Sequence, residues 1–260
     1  MELGLNGKVA LVTGASRGIG RAIALSFAAE GCDLMLTGRD QAALDGVAGA
    51  IRGKGRKAAV AALDLRREGT EKTLVEAVRR EFGHLDILIN NAGATKRGSF
   101  FELTEADWQD GYALKFFGHV RLTRAAWPLL RERKGSLVSI GGTSGRKPEA
   151  EFTIGSSVNA AVAAFTKCLA DIGKAEGVQV NCVHPSLVET ERQWKRIRAE
   201  VASTGESEDK VRERFVRRMG FTRYGKVEDV ADLITFLVSA RATWMHGATI
   251  DLDGGELGVL

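Results

Sequence analysis

The sequence is poor in cysteine, proline and tyrosine, and it has no long apolar run. Its three cysteines, Cys32, Cys168 and Cys182, lie far apart and form neither a CxxC motif nor a Cys/His cluster. This pattern argues against a disulfide framework and a metal site, and it favours a reducing cytoplasm. No stretch is apolar for long enough to span a bilayer, and the N-terminal MELGLNGKVALVTG lacks the basic region of a signal peptide. We therefore expect a cytoplasmic protein with no membrane partner.

Strong charge of one sign is also missing. The net charge is only +4 over 260 residues, and positive and negative residues are interspersed. Nucleic-acid binding is therefore not expected, and an anionic cofactor explains the mild positive bias more simply. The 31 glycines against three prolines suit helices that pack closely on a sheet.

Short apolar runs alternate with longer helical patterns along the whole chain. The strand-like runs are KVALVTG, DLMLTG, KAAVAALD, LDILIN, SLVSI, VQVNCV and ATIDLDGG. Helices are predicted in RGIGRAIALSFAAEG and over 41–52, 68–82, 105–133, 157–175, 191–219 and 227–239, with a break at STGES within 191–219. This alternation predicts an α/β fold with a doubly wound parallel sheet. No linker or repeat divides the chain, so we expect one domain over 1–260.

A glycine-rich junction, TGASRGIG, links the first strand to the first helix. Its glycines allow a tight turn and let the backbone approach a pyrophosphate at the helix N-terminus. A purely structural turn is the alternative, but the strand–loop–helix–strand context favours dinucleotide binding. The loop residues assigned to the cofactor are Gly14, Ser16, Arg17, Gly18, Ile19 and Gly20.

The end of the second strand, LTGRD, bears on which dinucleotide is bound. An acidic residue near this point typically binds the ribose 2′-hydroxyl of NAD, but here Gly38 is followed by Arg39. An arginine pairs with a 2′-phosphate instead, and Arg17 is placed to help. NADP(H) is therefore favoured over NAD(H). The alternative is that Arg39 is a solvated surface charge and Asp40 binds the ribose.

Four segments together resemble the short-chain dehydrogenase/reductase family, in order and over nearly the whole chain. They are TGASRGIG, LDILINNAG, VNCVHPSLVET and RYGKVEDVADLITFLVSARATWMHGATIDLDGG. The resemblance implies a Rossmann-type sheet of seven parallel strands flanked by helices, and a homotetramer or homodimer. It also implies oxidoreduction of a small-molecule substrate, with the helical insertion over about 190–220 covering the substrate mouth.

The resemblance also assigns cofactor contacts beyond the glycine loop. Asp64 and Leu65 would bracket the adenine, and Asn91, Ala92 and Gly93 would line the centre of the cofactor site. The segment from Pro185 to Thr190 would run past the nicotinamide, with the backbone of Val188 meeting the carboxamide. Ser186 stands where the family usually has glycine. His184 is a candidate acid, against the alternative of an ordinary variable position.

Enzymes of the family usually carry Asn, Ser, Tyr and Lys in the catalytic site. By resemblance these positions fall here on Lys115, Gly142, Gly155 and Asn159. The chain has only two tyrosines, and neither lies between the fifth and sixth strands. A shift of register therefore cannot restore the catalytic tyrosine.

Asparagine and lysine look as though they have exchanged places. We therefore assign Lys115 and Asn159 to the catalytic site: the ammonium would reach the ribose or a substrate oxygen, and the amide would bind the ribose hydroxyls. Burial would lower the pKa of Lys115. The alternative is a lysine that snorkels to the surface. The space beside Gly142 and Gly155 would be filled by substrate, by water or by a residue of the adjoining loop, namely Phe152, Thr153 or Ile154.

Two functions from different classes stay open. The first is an NADP(H)-dependent oxidoreductase with a reorganised site, and the second is a non-catalytic NADP(H)-binding sensor or scaffold. Arg192, Arg196 and Arg198 suggest an anionic substrate, whereas a solvated helix balanced by nearby glutamates is the plainer interpretation.

Overall fold

Seven parallel strands form the centre of the protein, in the order β3-β2-β1-β4-β5-β6-β7. The computed structural model describes residues 2–258. The strands are β1 Val9–Thr13, β2 Asp33–Gly38, β3 Ala58–Ala62, β4 Ile87–Asn90, β5 Ser136–Ile140, β6 Gln179–Pro185 and β7 Thr249–Leu252. The predicted seven-stranded, doubly wound α/β architecture is confirmed.

Helices cover both faces of this sheet. They are α1 Gly18–Ala29, α2 Gln41–Arg52, α3 Thr70–Phe82, α4 Glu105–Tyr112, α5 Gly118–Arg133, α6 Thr153–Glu176, α7 Glu191–Thr204, α8 Glu208–Met219 and α9 Val227–Leu237. The predicted break at STGES is confirmed, since Gly205 ends α7 with a φ of 71°. Gly83 likewise ends α3 with a φ of 79°.

Two helix boundaries differ from the sequence prediction. The helix expected over 105–133 is divided by a π-helical segment, Ala113–Phe117, between α4 and α5. α6 begins at Thr153, four residues before the predicted start, so Gly155 lies inside its first turn. Both differences fall at the candidate site. The π-helical segment carries Lys115, and the extended start of α6 carries Gly155.

The core lies on both sides of the sheet. β1 is buried at every position, as expected for a central parallel strand. On one face, buried residues of β1 and β2 pack with α1, α2 and α9, and Phe27 of α1 is fully buried there. On the other face, α3 and α5 pack with the remaining strand residues, and Leu74 and Leu122 are fully buried.

The chain reverses its direction of travel across the sheet between β1 and β4, which are paired neighbours. In open α/β sheets a crevice forms outside the carboxyl ends of the strands at such a switch point. The glycine loop follows β1, and Asn91 follows β4, so both predicted cofactor segments meet at this crevice.

No helix in residues 2–258 is long and apolar enough to cross a membrane.

Candidate active site

Glycines shape the loop between β1 and α1. Gly14 and Gly18 have φ angles of 65° and 55°, in the left-handed region that favours glycine. A Cβ atom on Gly20 would overlap the carbonyl oxygen of Gly14, so α1 packs directly on the loop backbone. The first turn of α1 therefore presents its N–H groups at the carboxyl end of β1. This cradle fits the pyrophosphate of a dinucleotide.

The other assigned loop residues differ in their surroundings. Ile19 is partly buried and packs against the core. The hydroxyl of Ser16 lies 3.7 Å from the point where a Cβ on Gly38 would stand, which places it at the end of β2. Arg17 is exposed. Ser16 and Arg17 thus extend the loop toward the region where the sequence predicts a 2′-phosphate.

Arg39 follows β2 and is exposed, as is Asp40 beside it. The Asp40 carboxylate accepts a hydrogen bond from the Ala43 N–H at 3.0 Å and thereby caps α2. Burial tends to raise the pKa of Asp64, but Arg66 and the weaker charge of Arg39 lower it. Asp64 pairs with Arg66 at 3.4 Å and Asp40 caps α2, so both acidic residues near the end of β2 already have partners.

Leu65 lies in the core next to the crevice. Its side chain is only 5% exposed, and its carbonyl accepts a hydrogen bond from Arg121 at 2.9 Å. Little of its surface is left for an adenine ring. The adenine contact assigned to Asp64 and Leu65 stays a prediction, and Asp64 is the better placed of the two.

The segment after β4 is tied to the end of β1. The Asn91 side-chain amide donates to the Thr13 carbonyl at 2.8 Å, and the Thr13 hydroxyl accepts the N–H groups of Asn91 and Ala92 at 2.8 and 2.9 Å. Since a carbonyl oxygen can only accept, His119 donates from Nε2 to the Ala92 carbonyl at 3.0 Å. Burial lowers the pKa of the His119 imidazole to about 3, so the ring is neutral. Asn91 therefore fixes the shape of the crevice, and any cofactor contact falls mainly to the backbone of this segment.

The segment after β6 returns along the crevice. β6 ends at the buried Pro185, and Val188 forms an isolated parallel bridge with Gly225. The Glu189 N–H donates to the Gly225 carbonyl at 2.8 Å, and the Gly225 N–H donates to the Leu187 carbonyl at 3.0 Å. Because successive peptide groups of an extended chain alternate in direction, those of Val188 face away from Gly225. They are suitably oriented for the predicted carboxamide contact.

Thr190 joins this segment to the glycine loop. Its hydroxyl caps α7 by accepting the Gln193 N–H at 3.3 Å. Its methyl group lies 3.5 Å from the point where a Cβ on Gly18 would stand. The start of α7 therefore lies directly over the glycine loop.

Ser186 does not disturb the backbone at the position where the family usually has glycine. Among residues 2–258, Lys134 is the only non-glycine residue with a positive φ, so Ser186 needs no left-handed conformation. Its hydroxyl donates to the Glu256 carboxylate, which also accepts the Thr143 hydroxyl at 3.1 Å. Glu256 thus links the ends of β5 and β6 beside the site.

Lys115 points inward from the π-helical segment. Its stem covers Gly93, where an added Cβ would stand 2.8 Å from the lysine Cδ. The ammonium donates to the Gly141 carbonyl at 2.9 Å, at the carboxyl end of β5. Burial lowers the pKa of Lys115 to about 7, the charge of Arg192 acts in the same direction, and Cys182 opposes it. The alternative of a lysine snorkelling to the surface does not fit this position.

Asn159 meets the same loop from the opposite side. It is 3% exposed, and its amide donates to the Ser144 hydroxyl at 2.9 Å. A Cβ on Gly142 would stand 2.8 Å from the Asn159 amide nitrogen, so this side chain occupies the space next to Gly142. The Asn159 Oδ1 is buried and has no hydrogen-bond partner in residues 2–258. It can accept a hydrogen bond from a bound hydroxyl group.

Phe152 fills the space beside Gly155. A Cβ on Gly155 would overlap the Phe152 ring, whereas Ile154 packs toward Gly111 instead. Of the three loop residues proposed to fill this space, the structure selects Phe152. The first turn of α6 thus presents an aromatic ring where the resemblance places the family's tyrosine.

His184 is buried above Gly141 and is poorly suited to act as an acid. Its Nδ1 accepts the Gly142 N–H at 2.7 Å, and its Nε2 is buried without a partner in residues 2–258. Burial lowers the pKa of His184 to about 4, and the charges of Lys115 and Arg146 add to this effect. The ring is therefore neutral at physiological pH and supports the backbone at the end of β5.

The crevice, the glycine cradle and the returning segment after β6 agree with a known family. The model of the short chain dehydrogenase family matches residues 8–201. The chain belongs to this family.

This short-chain dehydrogenase is also similar to individual proteins along its whole length. It is 33% identical over 253 residues to an uncharacterised oxidoreductase of Mycobacterium tuberculosis (strain CDC 1551 / Oshkosh), covering 96% of this chain and 92% of the relative. The L-sorbose reductase of Gluconobacter frateurii, solved with NADPH and L-sorbose, matches with a TM-score of 0.97 and 32% identity over 100% of both chains. A short chain dehydrogenase of Burkholderia cenocepacia J2315, solved with NADP, matches with a TM-score of 0.85 and 33% identity over 97% of this chain and 98% of the other.

Two contacts of this short-chain dehydrogenase carry no signal in its sequence. Arg97 forms a bidentate ion pair with Glu149, at 2.9 and 3.0 Å, between loops that are far apart in the chain. Arg192 donates to the Gly93 carbonyl at 2.7 Å and so reaches from α7 to the end of β4. Tyr112, in contrast, stacks on Trp108 with ring centroids 6.4 Å apart and packs against a hydrophobic cluster.

Proposed function

We propose that this short-chain dehydrogenase is an NADP(H)-dependent oxidoreductase of a small carbonyl or hydroxyl compound, with Lys115 as the group that moves the proton. The observation that carries the proposal is the position of the Lys115 ammonium, 2.9 Å from the Gly141 carbonyl at the edge of the crevice. A bound nicotinamide supplies the hydride chemistry. The protein holds it with the glycine cradle and the backbone around Val188.

Three features support NADP(H) rather than NAD(H). Arg17 and Arg39 are exposed near the end of β2, and Asp40 is occupied as the cap of α2. A guanidinium is well suited to a 2′-phosphate. The L-sorbose reductase and the Burkholderia cenocepacia protein were solved with NADPH and NADP, respectively.

The acid side of the site is proposed to be reorganised, with lysine and asparagine exchanged. Lys115 and Asn159 converge on the segment 141–144, and Phe152 fills the space beside Gly155. Each replacement is matched by a side chain that takes up the space, which favours a rearranged site over a decayed one.

Lys115 has a pKa suited to both directions of the reaction. With its pKa near 7, the protonated amine donates a proton to the substrate oxygen in reduction, and the neutral amine accepts it in oxidation. The amine then exchanges its proton with solvent. The buried Oδ1 of Asn159 would accept a hydrogen bond from a ribose or substrate hydroxyl.

Turnover tests this proposal directly. Purified protein is mixed with NADPH or NADH and a panel of ketones, aldehydes and imines, and the absorbance of the reduced cofactor is followed. Oxidation of NADPH with at least one of these compounds is expected. Tight binding of NADPH without turnover of any compound would contradict the proposal and favour the non-catalytic sensor or scaffold.

A further inference from the structure

Three arginines converge at the mouth of the crevice. Arg97 lies in the loop between β4 and α4, and Arg192 and Arg196 are four residues apart on one side of α7. Arg192 donates to the Gly93 carbonyl at 2.7 Å, directly over the segment that the stem of Lys115 covers. The three guanidinium groups therefore border the acid side of the candidate site.

Aromatic rings position two of these guanidinium groups. Arg97 lies over the Phe152 ring, with its Cζ 3.9 Å from the ring centroid. Arg196 lies over the Phe215 ring of α8 at 4.6 Å. Stacking on a ring leaves the edge of a guanidinium available for hydrogen bonds to a planar acceptor. Since Phe152 also fills the space beside Gly155, Arg97 is held next to the reacting centre.

The positive charge of this cluster is not balanced. Glu149 pairs with Arg97 at 2.9 Å, but within residues 2–258 no carboxylate lies within 4 Å of either Arg192 or Arg196. Desolvation lowers the pKa of both Arg192 and Arg196. The charges of Arg17 and then Arg97 add to the effect on Arg192, and the charge of Arg97 adds to the effect on Arg196. Glu149 and Glu200 offset only part of the charge around Arg196. A bound anion would relieve the mutual repulsion of the three guanidinium groups.

Arg198, on the same helix, shows the contrast. It pairs with Glu191, so its charge is compensated by a carboxylate of the same helix. The plainer interpretation of a solvated helix therefore applies to Arg198. It does not apply to Arg192 and Arg196, which face the crevice and have no such partner in the described part of the chain.

We infer that Arg97, Arg192 and Arg196 bind an anionic group of the substrate, so that the substrate is a carbonyl or hydroxyl compound carrying a carboxylate or a phosphate. This inference rests on the proposed function, because it names the substrate class of the same site. Both anions offer the paired oxygens that a guanidinium recognises with two hydrogen bonds. Glu149 occupies Arg97 in the absence of the anion.

The test measures binding rather than turnover, so its outcome is independent of whether hydride is transferred. The protein loaded with NADP⁺, which cannot reduce a ketone, is titrated by calorimetry with pairs of ligands that differ in charge. One pair is dihydroxyacetone phosphate and dihydroxyacetone, and the other is levulinate and its methyl ester. The anionic member of at least one pair should bind about tenfold more tightly or better. A preference in only one pair identifies which of the two anions the site takes.

Variants assign the preference to the cluster. Arg97→Gln and Arg196→Gln should each reduce the preference about tenfold, whereas the matched control Arg198→Gln should leave it unchanged. Glu149→Gln should strengthen anion binding, because the carboxylate that competes for Arg97 is removed. If Arg97 and Glu149 had only a structural role, removing the charge of one would not weaken anion binding while removing the charge of the other strengthens it.

Three results would overturn the inference. The first is that no anion binds more tightly than chloride, and the second is that Arg97→Gln and Arg196→Gln keep the full preference. The third is that Arg192→Gln weakens NADPH binding and leaves the anion preference intact; the three-arginine site is then wrong, and Arg192 belongs to the cofactor site.

Discussion

Lys115 is a cation in a place where the surrounding protein opposes its charge. Its pKa falls to about 7, mainly through burial, so that it is protonated below this pH and neutral above it. If it donates the proton in reduction, kcat for carbonyl reduction should fall as the pH rises through about 7. The reverse oxidation requires the neutral amine and should rise over the same range. Both limbs are measured from cofactor absorbance in a buffer series.

Substitution of Lys115 shows whether the pH dependence of kcat near 7 comes from this lysine or from another titrating group. Lys115→Met keeps the stem that covers Gly93 and removes the amine, so it should lower kcat by roughly 10²–10⁴-fold and abolish the limb near pH 7. Retention of that limb in the variant would assign it to another group. The matched control is Lys147→Met, because Lys147 is an exposed lysine at the far side of Glu256.

Arg39 is proposed to distinguish the two dinucleotides by its charge. It is exposed at the end of β2, Asp40 is used as a helix cap, and Asp64 pairs with Arg66. Arg39→Ala should therefore weaken NADPH binding by about tenfold or more and leave NADH binding nearly unchanged. Fluorescence titration of both cofactors measures this, with Arg52→Ala, at the other end of α2, as the control. Equal loss for both cofactors would mean that Arg39 does not contact the 2′-phosphate.

At the scale of a helix, two glycines should respond oppositely to the same substitution. Gly46 lies in the middle of α2 with open space around it, so Gly46→Ala should stabilise the protein by about 0.5–1 kcal/mol. Gly155 lies in the first turn of α6, where a Cβ would overlap Phe152, so Gly155→Ala should destabilise it by about 1–3 kcal/mol. Denaturant unfolding gives both values.

A further substitution at Phe152 shows whether its ring causes the loss of stability in Gly155→Ala. In the double variant Gly155→Ala/Phe152→Leu the smaller side chain makes room, so part of the stability lost in Gly155→Ala should return. If the double variant is as unstable as the sum of the two single variants, the ring and the new methyl group do not compete for the same space.

The sequence predicted those elements that depend on local signals. Alternating apolar runs located all seven strands, and the spacing of Gly14, Gly18 and Gly20 located the cradle. The π-helical segment around Lys115 was not predictable, because no residue type marks it and the pattern reads as one continuous helix. The early start of α6 was not predictable either, because Thr153 and Gly155 in its first turn have weak helical preference.

At the scale of the whole molecule, the site arises from the order of the strands. The switch between β1 and β4 brings Thr13 and Asn91, 78 residues apart, within 2.8 Å of each other. Family resemblance predicted that Asn91 belongs to the crevice but not that its amide is used to hold the end of β1. Contacts such as Arg97 with Glu149 join two loops, and loop geometry depends on the finished fold rather than on local pattern.

The surface of the whole molecule bears on its assembly, which the family resemblance predicts to be a homotetramer or homodimer. Several large apolar side chains are exposed, among them Trp244 at 98% and Phe101 at 93%. Phe101 lies against the exposed Phe100, with ring centroids 5.3 Å apart, and adjoining exposed apolar side chains are typical of contact surfaces. Sedimentation should therefore give a mass of two or four times 28.0 kDa, and Trp244→Ser or Phe101→Ser should shift the equilibrium toward smaller species. Because the active-site crevice is built within one chain, NADPH binding should survive this shift. Arg198→Gln serves as the surface control for these variants. A wild-type protein that is monomeric at every concentration would contradict the prediction.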